Sequence, residues 1–173
     1  MTRTIHTRAG GPTHVLEDLL QTLLVTELLS PSQRIWVVSP WISDLPVVDN
    51  SAGSFTFAAP GAPARELRLS EVLIRLAELG SSVTVITKSG EVHNAHFLTA
   101  LRTLSSQVVT REHPELHTKV LATDRFVLSG SMNFTRWGVG RNVERITLDV
   151  APETIRRETV ELAKYLRELE GEP

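Results

Sequence analysis

The chain reads as a single-domain α/β protein, an α/β/α sandwich with a mixed, mostly parallel central sheet. Three observations predict this. The runs Arg34–Ser39 (RIWVVS) and 83–87 (VTVIT) are nearly continuous in apolar and β-branched residues, the pattern of central strands covered on both faces. Around them, apolar residues recur at helical spacing over 15–29, 69–79, 97–104 and 152–170, so strands and helices alternate. Finally, 173 residues with 41% apolar content suit one ordinary core and call for no second domain.

Taken in order, residues 1–11 are a loose lead-in or a short edge strand. A helix with a wide apolar face follows from residue 12 or 13 and stops before Pro31. The strand over 34–39 ends at Pro40, which leaves Ser39 and Trp41 at its carboxyl end, the edge on which α/β sheets bind ligands. Trp41 either stacks on a substrate there or packs at the rim. The stretch 49–65 is rich in Ser, Gly, Ala and Pro and lacks periodicity; it is expected to be a flexible loop, a flap carrying Phe55 and Phe57 over the ligand edge. Leu69, Val72, Leu73, Leu76 and Leu79 mark the next helix, with Gly80 as its stop. After the strand at 83–87, residues 88–94 form a loop at its carboxyl end that carries His93 and Asn94. A helix over 97–104, a short strand at 108–109, a hairpin over 120–128 and a strand over 143–150 complete the sheet. The closing helix over 152–170 has one apolar stripe, facing the sheet or a second subunit.

Composition narrows the function. The absence of Cys excludes disulfides, thiolate nucleophiles and Cys-bound metals. No signal-like apolar segment opens the chain, and Glu17 and Asp18 interrupt the leucine-rich stretch, so no membrane span and a cytoplasmic location are expected. A net charge of −2 is not that of a generally basic nucleic-acid binder. Arg111, Lys119, Arg125, Arg136, Arg141 and Arg145 nevertheless cluster in sequence, as a local cationic site or as solvated surface. His93 and His96 could share a helix face, but no carboxylate completes a ligand set, so neither metal nor cofactor is expected. His6, His14 and His113 read as surface residues.

The densest chemistry lies between His117 and Asn133. His117 and Lys119 are two apart on an extended segment and share a face. A turn at 123–125 folds the strand after them into a hairpin. That fold returns Gly130, Ser131 and Asn133 towards His117, and Gly130 permits close backbone approach to a ligand. An imidazole, an ammonium, a hydroxyl and an amide together suit a phosphate.

This run resembles the HxK(x)4D…GSxN signature of the phospholipase D superfamily. Asn142-Val143-Glu144 is similar to the N-x-E that follows the signature in nuclease-like members, and Ser39-Pro40-Trp41 is similar to an element of the family's first strand. The resemblance covers about 35–148. Five residues separate Asp124 from Gly130 where many members have six, which implies a shorter hairpin turn. The resemblance implies the phospholipase D-like fold, catalytic roles for His117, Lys119, Ser131, Asn133 and Glu144, and structural roles for Asp124 and Gly130. In that reading Glu144 holds an imidazole N–H, while Lys119, Ser131 and Asn133 bind the phosphoryl oxygens. Ser39, Trp41, His93, Asn94, Arg136, Trp137 and Arg141 are the candidate substrate-binding residues.

There is one HxK in the chain. One imidazole cannot attack phosphorus and protonate the leaving oxygen at the same moment. The expectation is therefore a homodimer with one composite site. The expected activity is a metal-independent nuclease acting through a phosphohistidine. The alternatives are a phospholipid phosphodiesterase or transferase, and a non-catalytic nucleic-acid-binding subunit of a DNA-modification or defence complex.

Overall fold

The apolar runs become the centre of the molecule. The computed structural model describes residues 1–7, 14–58, 61–105, 107–140 and 142–171. Its elements are β1 (Thr2–His6), α1 (Val15–Leu29), β2 (Arg34–Ser39), β3 (Pro46–Asp49), β4 (Glu66–Arg68), α2 (Leu69–Glu78) and β5 (Ser82–Lys88). They continue with α3 (Val92–Leu104), β6 (Val108–His113), β7 (Val120–Thr123), β8 (Val127–Gly130), α4 (Arg136–Gly140), β9 (Arg145–Asp149) and α5 (Pro152–Glu170).

Among the described residues, seven strands form one sheet in the order β1-β9-β8-β7-β2-β5-β6. Side chains alternate across it. Ile35 and Val37 of β2 point to the face packed by Leu16, Leu24, Leu73, Leu76, Phe97 and Leu101 of α1, α2 and α3. Trp36 and Val38 point to the opposite face, with Ile155 and Leu162 of α5. The apolar stripe of α5 thus faces its own sheet, and the layered α/β/α sandwich is formed.

The sheet is mixed, but the expected parallel majority is corrected. β2 pairs parallel with β5 and β5 with β6, whereas β2–β7, β7–β8, β8–β9 and β9–β1 all pair antiparallel. Connections explain the division. Parallel neighbours need a crossover, here supplied by α2 and α3, whereas the short turn after Thr123 admits only an antiparallel partner.

Two boundaries also move. The lead-in forms the edge strand β1, in register with β9 from Thr2–Asp149 to His6–Arg145. The stretch 49–65 is flanked by a two-stranded antiparallel pair, β3 and β4, and its described part is anchored. The buried Asn50 amide donates to Pro63 O at 3.0 Å and accepts from Phe55 N at 2.8 Å. Asp49 N donates to Gln21 Oε1 of α1 at 2.7 Å, and Phe55 packs on the core. A side chain supplies the hydrogen bonds that a regular element would take from backbone, so no periodicity marks the segment. No helix among the described residues is long and apolar enough to cross a membrane.

The start of α2 is held by charge. Glu71 accepts from Arg68 N at 2.9 Å and from both terminal nitrogens of Arg65, at 2.6 and 2.9 Å. The Arg65 hydrogen bonds hold its carboxyl below the ordinary glutamate value of 4.5. A carboxylate lowered in the folded state adds stability above its unfolded pKa and loses it as pH falls through the folded one. Glu71→Gln should therefore be less stable than the parent at neutral pH, with the difference vanishing in acid; urea midpoints across the acid range measure this.

Candidate active site

The antiparallel pairing of β2 with β7 brings two distant stretches together. Val38 of β2 lies opposite Val120 of β7, so the carboxyl end of β2 runs past the segment that leads into β7. His117 and Lys119 sit on that segment, continuous with the β7–β8 ladder through Gly130 N to Lys119 O at 3.3 Å. His117 is exposed, and among the described residues its imidazole takes part in no hydrogen bond or ion pair. Lys119 is half-buried, with Nζ donating to the carbonyl of His117 at 2.7 Å. The ammonium is folded against the backbone beside an uncommitted imidazole.

Asn133 approaches from the other side. Ile42 bridges Phe134, and Ser43 N donates to Phe134 O at 2.8 Å. This ties the chain beyond β2 to the chain beyond β8. Ser39 Oγ lies 3.0 Å from Trp41 O and 3.2 Å from Asn133 Oδ1, donating to these two acceptors. With Oδ1 engaged, Asn133 presents its NH2 as the donor towards a ligand. Ser39 is fully buried. Its hydroxyl is thus placed to position Asn133 and lies away from the surface. Gly138 of α4 packs against Asn133: a Cβ there would lie 2.2 Å from Asn133 O.

Ser131 and Glu144 form a second unit. The Ser131 hydroxyl donates to Glu144 Oε2 and accepts from Arg145 N at 3.0 Å. Glu144 is buried and, among the described residues, accepts no hydrogen bond from an imidazole. Within one chain the carboxylate holds Ser131, and the Ser131 hydroxyl hydrogen is committed to it. Thr7 holds this unit from the end of β1, its hydroxyl accepting from Glu144 N at 2.7 Å and donating to Asn142 O at 2.7 Å. Sequence reading missed Thr7, since a lone threonine 137 positions away carries no local signal.

Asp124 lies at the opposite end of β7. It accepts from the backbone N–H groups of Gln33 and Arg34 at 2.6 and 3.1 Å, and pairs with the Arg34 guanidinium at 3.3 Å. The shortened hairpin turn thus keeps it as the clamp that starts β2. Gly130, at φ 153°, sits where a Cβ would meet Arg145 O at 2.2 Å and Ile146 Cα at 2.9 Å. Only glycine lets β8 close on β9 there.

The substrate-binding candidates divide. Asn94 is buried on the first turn of α3. It accepts from Ile42 N at 2.9 Å and donates to Pro40 O at 2.9 Å and Lys88 O at 3.1 Å. It is a scaffold clamp, not part of the surface, because α3 begins at Val92 and shortens the expected loop. His93, Trp41, Arg136 and Trp137 do line one groove. Arg141 lies outside the described residues. The expected cationic cluster is dispersed: Arg125 pairs with buried Glu27 at 3.1 Å near the Asp124 end, and Arg111 bridges Glu170 of α5. Among the described residues no group of three or more His, Asp or Glu could hold a metal ion.

The Gly138 contact is testable. Gly138→Ala should displace Asn133 and lower turnover of a phosphodiester at least tenfold, while costing about 1–3 kcal/mol of stability. Gly130→Ala should cost stability similarly by parting β8 from β9. Thermal unfolding alongside steady-state kinetics separates the two effects.

Comparisons with known proteins bear on the family and the fold. A family model described as cardiolipin synthase, PLD-like domain, matches residues 24–166. No curated protein sequence matches the chain. Among solved structures, NucT from Helicobacter pylori superposes with a TM-score of 0.61 at 13% identity, covering 96% of each chain. The phospholipase D family member Nuc from Salmonella typhimurium gives 0.61 at 13% identity, over 99% of this chain and 95% of its own. Phosphatidylserine synthase from Haemophilus influenzae gives 0.57 at 13% identity, over 94% of this chain and 36% of its own. With a family model spanning most of its length, the fold of these relatives and the His117–Asn133 signature, the chain belongs to the phospholipase D-like superfamily of phosphodiesterases and transferases.

Proposed function

We propose that the protein is a phosphodiesterase acting on nucleic acid through a phosphohistidine on His117, in a site completed by the same residues of a second copy. The observation that carries this reading is the exposed imidazole of His117, uncommitted among the described residues, beside the Lys119 ammonium at the sheet edge. One such pair per chain supplies a nucleophile but no simultaneous acid.

Each step then has an owner. His117 of one subunit attacks phosphorus, a P–N bond forms, and the bond from phosphorus to the leaving oxygen breaks. The imidazolium of the partner's His117 gives its proton to that oxygen. The partner's imidazole next takes a proton from water as the water oxygen attacks phosphorus. The P–N bond then breaks and His117 is restored. Lys119 swings from its own backbone to the non-bridging oxygens, and the Asn133 NH2 donates to them as charge accumulates. Two ammonium groups, one per subunit, meet the phosphate charge in this mechanism. Ser131 and Glu144 set the backbone beside them.

A phospholipid is the second reading, favoured by the description of the matching family model, which names cardiolipin synthase. The two separate by salt, because nucleic-acid affinity falls with ionic strength as counterions are released and apolar insertion does not.

The deciding experiment follows hydrolysis of bis(p-nitrophenyl) phosphate and of single- and double-stranded DNA in EDTA, with the mass of the species measured on the same samples. A dimer should cleave, and His117→Ala should lower the rate by about 10³-fold or more, as loss of a covalent nucleophile does. A monomer that cleaves would exclude the two-histidine scheme. Cleavage that survives His117→Ala would exclude His117 as nucleophile.

A further inference from the structure

Just beyond Asn133 the surface opens into a groove of about 510 Å3, within the ~300–1,000 Å3 range of small-ligand clefts. Trp41, Ser43, His93, Thr135, Arg136 and Trp137 line it. Its walls are fixed. Trp41 follows the Pro40 carbonyl that Asn94 clamps, and Thr135 N bonds Asn133 O at 2.8 Å. Asn142 N donates to Trp137 O at 2.9 Å. The groove is therefore tied through Thr135 to Asn133, one of the donors proposed to meet the phosphoryl group.

Its aromatic content is unusual for this chain, which has only three tryptophans. Trp36 is buried at 6% exposure, whereas Trp41 and Trp137 are 40% and 62% exposed, and both border this groove. Two indoles that keep this much exposed surface beside one groove are not explained by core packing. Between them, Arg136 takes part in no ion pair or hydrogen bond among the described residues. The one carboxylate on the wall, Glu91, is paired with Lys88 at 3.5 Å.

We propose that this groove takes the unpaired bases of a single strand, with Trp41 and Trp137 stacking on bases adjacent to the phosphodiester at His117 and Arg136 pairing with a neighbouring phosphate. The proposal rests on the nucleic-acid reading above and narrows it to single-stranded substrates. A duplex presents base edges in its grooves and keeps its base faces stacked inside, so it offers the indoles nothing to cover. Stacking also suits the charge. A chain of net −2, with several arginines near the motif paired elsewhere, cannot draw its affinity mainly from phosphate contacts. The expected salt dependence is accordingly shallow, a log–log slope of about −1 for one or two contacts on a single strand.

The test uses the His117→Ala protein, so that strands are bound and not consumed. It is titrated with a thymidine decamer, an abasic deoxyribose-phosphate decamer of equal length, a duplex decamer, and phosphatidylcholine–phosphatidylglycerol vesicles. Tryptophan emission and anisotropy are both followed. The thymidine decamer should quench the exposed tryptophans and bind about tenfold or more tighter than the abasic strand. Trp41→Ala and Trp137→Ala should each shrink that ratio several-fold, and Trp137→Phe should keep most of it. Equal binding of base-bearing and abasic strands, or duplex binding as tight as single-strand binding, would overturn the base groove while leaving a nucleic-acid phosphodiesterase standing. Quenching by vesicles with no strand of any kind bound would overturn both readings.

Discussion

Everything at the site depends on the antiparallel pairing of β2 with β7. It joins the parallel half of the sheet, built through crossover helices, to the antiparallel half, built from tight turns. At that seam the carboxyl end of one strand lies beside the approach to another. Ser39, Pro40 and Trp41 arrive from one side, His117 and Lys119 from the other. Asp124 fixes the seam at its far end by receiving the first backbone donors of β2. A slip of one residue would turn every side chain of β7 to the opposite face. The clamp and the chemistry therefore belong to one ladder, although they sit at its two ends.

Around the seam, polar side chains near the phosphate position are mostly engaged before any ligand arrives. Ser39 sets Asn133, Glu144 sets Ser131, and Asn94 sets the backbone on either side of Trp41. Burial makes these bonds firm, because a buried polar group without a partner costs about 1–3 kcal/mol. What is left uncommitted is small and chemically specific: the His117 ring and the Asn133 amide hydrogens. Such preorganisation lets the Asn133 amide wait in place, whereas the Lys119 ammonium, bound to the His117 carbonyl, has to move.

Much of this was legible in the sequence because the signals are local. The apolar runs at 34–39 and 83–87 and the stripe over 152–170 announce their elements directly, and α5 spans Pro152–Glu170 as its pattern indicates. His117 and Lys119 stand on the segment that leads into β7. What the sequence does not announce is long-range pairing: Ser39, Asn94 and Glu144 meet partners 94, 52 and 13 positions distant in sequence. Periodicity reports which way a residue points. It does not report what stands opposite. The described part of the loop after Asp49 shows the same limit, since Asn50 supplies side-chain bonds where no pattern marks them.

The hook between Thr7 and Glu144 has a consequence for biosynthesis. β1 is seated against β9, which follows every other described strand in chain order. A nascent chain can assemble β2, β5 and β6, and later the β7–β8 hairpin, while residue 7 still waits for its partner. The complete polar set then forms in a late, long-range closure, the kind of contact that pays the largest loop entropy and comes slowly. On the ribosome, the motif would be made before the strand that completes its polar set, and would wait for β9 to reach working order.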